Sequence, residues 1–279
     1  MRRSIPTLAI LTLLPLGAAA QEPVITPGDN LVAQGVPAIP ASLAAEVRRY
    51  TESRSAAFLD WHPTRRELLV TTRFANAAQV HRVAMPGGAR TQLTFSEEPI
   101  ADALYEPRGQ GSFLFLRDVG GNEFDQIYRY DVADGRITLL TDGGRSQNDA
   151  PVWSRAGDRI AYGSTARNGA DRDVWVMDPS NPSSRRMVMQ ATGGGWYVAD
   201  WSPDDRTILV LEYESINRSH LWLVDAASGE KTPLTQRGAD SVAYGGAEFA
   251  ADGRGVYLAT DLGAEFQRLA YMDLSTRAV

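Results

Sequence analysis

The chain has 279 residues, 43% of them hydrophobic and 22% charged, with no cysteine and a formal net charge of −6. That composition belongs to a globular protein with a substantial core and excludes disordered and collagen-like chains. The acidic balance excludes the concentrated basic face that a phosphate backbone requires, so no nucleic-acid partner is expected; the lack of cysteine excludes disulfides, thiolate metal sites and a cysteine nucleophile.

The N-terminal stretch MRRSIPTLAILTLLPLGAAAQ carries two arginines, an apolar run over residues 8–16 and three alanines before Gln21. This is the three-part pattern of a cleaved secretory signal, assigned to residues 1–20, and it implies a periplasmic or secreted protein. The run is far short of the roughly 20 residues that span a bilayer, and no later segment approaches that length, so no membrane span is expected after cleavage. Arg2-Arg3 also fits twin-arginine export, although paired arginines occur in ordinary leader sequences.

Residues 21–53 read as an extended, Pro/Gly-punctuated segment followed by one short helix. In PASLAAEVRRYTESR, Leu43, Val47 and Tyr50 recur at helical spacing, with Ser42 placed to cap the N-terminus.

From residue 54 to the end the chain repeats itself. The aromatics Trp61, Tyr105, Trp153, Trp201 and Phe249 follow one another at 44, 48, 48 and 48 residues, and Asp131, Asp178, Asp225 and Asp273 form a second column at 47, 47 and 48, with Ala84 in that place in the first unit. Each aromatic leads into a polar turn, an apolar run, a polar loop, a second run, a Gly/Pro turn and a short close. Runs this short, rich in Val, Ile, Leu, Trp and Tyr, favour strands over helices. Four strands every 44 to 48 residues predict an all-β protein, a β-propeller of four-stranded antiparallel blades beginning near residues 57, 101, 149, 197 and 245. Runs such as VWVM and LWLV are apolar at successive positions because a blade packs against a neighbour on both faces. The fifth unit stops before its closing strand, so the ring is expected to be incomplete, one part of a seven-bladed ring. The alternative is closure of five blades by an N-terminal outer strand.

Few residues suggest chemistry of their own. His62 lies in a Trp-His-Pro turn, and His81 occupies a strand position where other units have Tyr128, Trp175 and Trp222, so both read as structural; His220 follows the polar loop of the fourth unit. The acidic pairs Asp171/Asp173 and Asp204/Asp205 fit turn chemistry better than a calcium loop, whose spacing is absent. The triple glycine at 193–195 lacks the Lys-Ser/Thr of a phosphate loop and reads as an inter-blade turn. No metal or cofactor is expected. The loops between second and third strands, DVGGNEFDQ in blade two and YESINRSH in blade four, emerge on the face of the inter-blade connections. Arg117, Asn122, Glu123, Glu212, Asn217 and Arg218 are therefore the candidate contacts for a peptide or partner domain, against the plainer reading that they solvate and cap hairpins. Asn217-Arg218-Ser219 also fits the short glycosylation pattern.

The stretches RSAAFLDWHPTRRELLVTTRFANAAQVHRV from Arg54, QLTF from Gln92, FLFLRDVGGNEFDQIYRYD from Phe113 and GGGWYVADWSPDD from Gly193 carry a more specific likeness. From about Ile39 onward the chain resembles the N-terminal propeller of exported serine peptidases of the prolyl oligopeptidase family. That resemblance implies a seven-bladed propeller over a following α/β-hydrolase domain, with the propeller restricting which peptides reach the active site. The chain departs from the family in lacking the G-x-S-x-G elbow; its nearest approach is Gly144-Arg145-Ser146-Gln147-Asn148. No catalytic residue carries over, and the chain alone is expected to be inactive, with peptides and a C-terminal hydrolase domain as its expected partners. The alternative is a stand-alone periplasmic interaction propeller resembling TolB-like proteins.

Overall fold

The computed structural model describes residues 22–28, 30–149, 151–238 and 241–279; the segment read as a secretory signal lies outside them. The chain divides into two compact units, up to Arg54 and from Ser55 onward.

In the first unit, α1 (Ala41–Thr51) follows Pro40, which is extended at ψ 138°. Ser42 is not the cap that its sequence position suggests. The cap position is Pro40, two residues earlier, with the Ala44 N–H bonding the Pro40 carbonyl, and the Ser42 hydroxyl donates instead to the Glu22 carboxylate. The stripe of Leu43, Val47 and Tyr50 is present on the helix but exposed.

The second unit is all-β. Blade one comprises β1 (Ala56–Trp61), β2 (Leu68–Thr72), β3 (Gln79–Val83) and β4 (Arg90–Gln92); blade two comprises β5 (Ala103–Tyr105), β6 (Ser112–Arg117), β7 (Gln126–Asp131) and β8 (Ile137–Leu139). Blade three has β9 (Val152–Trp153), β10 (Ile160–Ser164), β11 (Asp173–Asp178) and β12 (Asn181–Met189), and blade four has β13 (Trp196–Trp201), β14 (Thr207–Ser215), β15 (Arg218–Asp225) and β16 (Lys231–Pro233). Blade five has β17 (Tyr244–Phe249), β18 (Gly255–Thr260) and β19 (Arg268–Asp273), three strands among the described residues. Within each blade the strands pair in sequence order, antiparallel throughout. The repeated aromatic closes every inner strand, and the repeated aspartate closes the third strand of blades two to five.

Two boundaries differ from the sequence reading. Pro182 belongs to β12 rather than to a turn, which the outermost strand of a blade tolerates because its outer edge needs no N–H donor. The polar stretch of residues 213–220 is largely strand. Tyr213 pairs with Ser219 and Ser215 with Arg218, leaving only Ile216 and Asn217 at the tip.

The blades are held by their faces. Leu69 and Val80 of blade one pack into a core with Ile100, Phe113 and Phe115 of blade two; Leu114 and Ile127 pack with Ile160 and Tyr162 of blade three. Ala161 and Val174 pack with Trp201 and Ile208 of blade four, and Leu209 and Leu221 with Phe249 and Val256 of blade five. All eight residues on these following faces are 0% exposed, and burying a Leu or Val of this kind stabilises by about 1.5–3 kcal/mol. The equivalent positions in blade five, Tyr257 and Leu269, are 50% and 80% exposed.

Candidate functional site

The mouth of the propeller is assembled by a column of buried polar residues five positions before the repeated aspartate. Gln79 at the start of β3 donates from Nε2 to the Ser96 and Glu98 carbonyls at 3.1 and 3.0 Å and accepts the Ser96 N–H at 3.0 Å. Gln126 does the same at the start of β7, donating to the Ser146 carbonyl at 2.9 Å and accepting from the Thr141 hydroxyl and the Gly143 N–H. In blade three the role passes to Asp173, which accepts the Ala191 N–H at 2.8 Å and pairs with Arg167. Each side chain is buried and fastens the connection that leads to the next blade. Burial of such groups is tolerated because their hydrogen bonds are made within the fold. The column is hard to see in the sequence because its residue type varies, glutamine in blades one and two and aspartate in blade three; a polar residue at a fixed place ahead of an apolar run is its one signal.

Loops between second and third strands bond to these same connections. The Gly120 N–H meets Glu98 at 3.2 Å, Asn148 donates to the Asp125 carbonyl at 2.7 Å, and the Gly193 N–H donates to Asp171 at 2.7 Å. Gly195 lies so close to Tyr213 that a Cβ would collide with the Tyr213 carbonyl oxygen.

The six candidate contacts fall into two sets, one on blade two and one on blade four. In blade two, the Arg117 guanidinium lies 4.6 Å from the centre of the Tyr128 ring, Asn122 accepts the Phe124 N–H, and Glu123, at φ 62°, donates its N–H to Asp118. Burial pushes the nearby Asp125 carboxyl up, with Asp118 and Glu123 adding repulsion. In blade four, Glu212 accepts from the Trp222 indole at 2.8 Å and pairs with Arg237 at 2.5 Å. Asn217 sits exposed at the hairpin tip, and Arg218 lies 4.0 Å from Glu214. Arg237 also reaches Glu214 at 3.5 Å, and its hydrogen bond to Glu212 raises its pKa further. His220, buried opposite Glu212 and 3.5 Å from Glu214, joins this acidic and basic cluster.

The remaining candidates make contacts within the fold. His62 Nδ1 accepts the Thr64 and Arg65 N–H groups, and His81 Nδ1 lies 2.9 Å from the Gln79 carbonyl. Asp171 pairs with Arg167, while Asp205 accepts the Arg155 and Ala156 N–H groups of blade three. Ser146, nearest to an elbow serine in sequence, is buried and donates to Asp142 at 2.7 Å. Among the described residues no group of three or more His, Asp or Glu is arranged to hold a metal ion, and no helix is long and apolar enough to cross a membrane.

No protein-family profile matches the chain. Solved structures do. A prolyl endopeptidase matches at TM-score 0.68 with 15% identity, over 85% of this chain and 37% of its own; prolyl oligopeptidase B from Galerina marginata matches at 0.63 with 15% identity, over 84% and 37%. TolB from Acinetobacter baumannii matches at 0.55 with 18% identity, over 81% of this chain and 51% of its own. The shared feature is the β-propeller. The chain spans little more than a third of the length of the peptidases and about half that of TolB.

Proposed function

We propose that this chain is the non-catalytic propeller portion of an exported prolyl oligopeptidase-like serine peptidase, where it filters and docks peptides for a hydrolase domain. The observation that carries the reading is the exposed face of blade five, Tyr257 and Leu269, at positions buried by a following blade everywhere else. Such a face calls for further blades, and the mouth loops with Arg117, Asn122, Glu123, Glu212, Asn217 and Arg218 then supply the polar rim that meets a peptide. On this reading the nucleophilic serine belongs to the hydrolase domain, on a G-x-S-x-G elbow of its own. The test is the coding sequence beyond Val279 and its product. Two more aromatic-turn units followed by that elbow, with a fluorophosphonate probe labelling the new serine, support the reading; a stop codon at that point contradicts it.

A second reading, a TolB-like propeller that mediates protein–protein interaction, draws on the likeness to TolB at TM-score 0.55. It requires a closed ring. A monomeric chain whose β19 amides resist hydrogen exchange favours it.

A further inference from the structure

We propose that blade one carries a binding site for an aromatic hydrogen-bond donor, the indole or phenol side chain of a peptide tryptophan or tyrosine, beside His81 and between Phe74 and Phe95. A cavity of about 480 Å³ opens there, with Phe74, Phe95, His81, Gln92 and Glu97 in its wall. His81 stands where blades two, three and four carry Tyr128, Trp175 and Trp222, all paired in the same way with the second strand of their sheet. An imidazole is smaller than those rings, and here it forms part of the cavity wall.

The tautomer of the neutral His81 ring follows from its partner. The Gln79 carbonyl oxygen, 2.9 Å from Nδ1, only accepts, so Nδ1 carries the hydrogen and Nε2 of the neutral ring presents a lone pair. Nε2 is buried and makes no hydrogen bond in the fold, although His81 is only 1% exposed. A buried acceptor left without a donor is an unmet demand that a ligand N–H or O–H satisfies. The Phe74 ring lies 5.3 Å from the imidazole and is half exposed, and Phe95 is 78% exposed. A flat apolar ring from outside therefore has two aromatic side chains to pack on, and aromatic pairs attract. The site adjoins the connection held by Gln79 and Ser96 but uses none of the six candidate contacts of blades two and four, and it does not rest on the peptidase-like reading.

Titration of the whole chain with N-acetyltryptophanamide, N-acetyltyrosinamide and N-acetylphenylalaninamide, followed by calorimetry and by the imidazole nitrogen resonances, tests it. Saturable binding is expected, with the phenylalanine analogue about tenfold weaker for want of a donor, and only the donor ligands shifting the His81 Nε2 resonance. In His81→Phe the three ligands converge in affinity; Phe95→Ala, at an exposed position, weakens all three. Equal affinity for the three amides in the unsubstituted protein, an unmoved Nε2 resonance, or no saturable binding overturns the proposal without reliance on any variant folding.

Discussion

Asp60 Oδ2 accepts the backbone N–H of Tyr105 at 2.8 Å, tying the inner strand of blade one to that of blade two. Asp200 makes the same bond to Phe249 at 2.8 Å, between blades four and five, and also holds Arg155 of blade three at 2.5 Å. In each case the aspartate directly precedes the repeated aromatic of its own blade and binds the aromatic position of the next. The latch fixes the spacing of adjacent inner strands.

Asp200→Ala removes a buried acceptor and leaves the Phe249 N–H and the Arg155 guanidinium without it. The expected loss is about 2–3 kcal/mol in urea unfolding, at the lower end for a broken charge pair because Arg155 is half exposed. A loss below about 0.5 kcal/mol would show that the latch is ornamental.

Two of the aspartates that close the third strands, Asp225 and Asp273, make stability depend on acid. Hydrogen bonds from Ser275 and Thr276 hold the Asp273 carboxyl down to about 2, and Asp225 is lowered by Ser228 in the same way. Unfolded aspartates titrate near 3.9, so the folded state favours the ionised form; this contribution is complete above about pH 4 and is lost as pH falls toward 2. Asp60 and Asp200 act oppositely, because burial raises both and their ionised forms burden the fold as pH rises through the raised values. Asp273→Asn is expected to flatten the stability profile between about pH 4 and 2. An unchanged slope contradicts the assignment.

Gly195→Ala places a methyl against the Tyr213 carbonyl, at the junction of a blade connection and the long hairpin of blade four. Backbone must shift to admit it, at about 1–3 kcal/mol by analogy with overpacked cores. Thermal melting reads the effect, and amides of residues 213–219 should lose exchange protection first.

Much of the fold was legible because each repeated residue marks a place where geometry is demanding. The aromatic ends the inner strand, and the aspartate accepts turn N–H groups after the third strand, as Asp225 does from Ala227 and Ser228. Less legible was anything fixed by role rather than residue type. Gln79 and Gln126 fasten equivalent connections with an amide, Asp173 does so with a carboxylate, and His220 stands at that place in blade four, so no one letter runs through the units. The hairpin at residues 213–218 looked like a loop because Glu, Ser, Asn and Arg are polar, yet Glu214 near Arg218 and His220 supports a strand pair. Ser42 looked like a cap because spacing alone does not show where Pro40 ends the extended segment.

The central claim is that the outer face of blade five is an interface of the same kind as the four before it. The measurement is the cost of Leu269→Ala, with Leu221→Ala as the reference at the equivalent buried position of blade four. In the 279-residue chain, urea unfolding should give about 2–5 kcal/mol for Leu221→Ala and under about 0.5 for Leu269→Ala. In the product of the whole coding sequence, Leu269→Ala should rise to the cost of Leu221→Ala; a cost that stays under about 0.5 kcal/mol there contradicts the account.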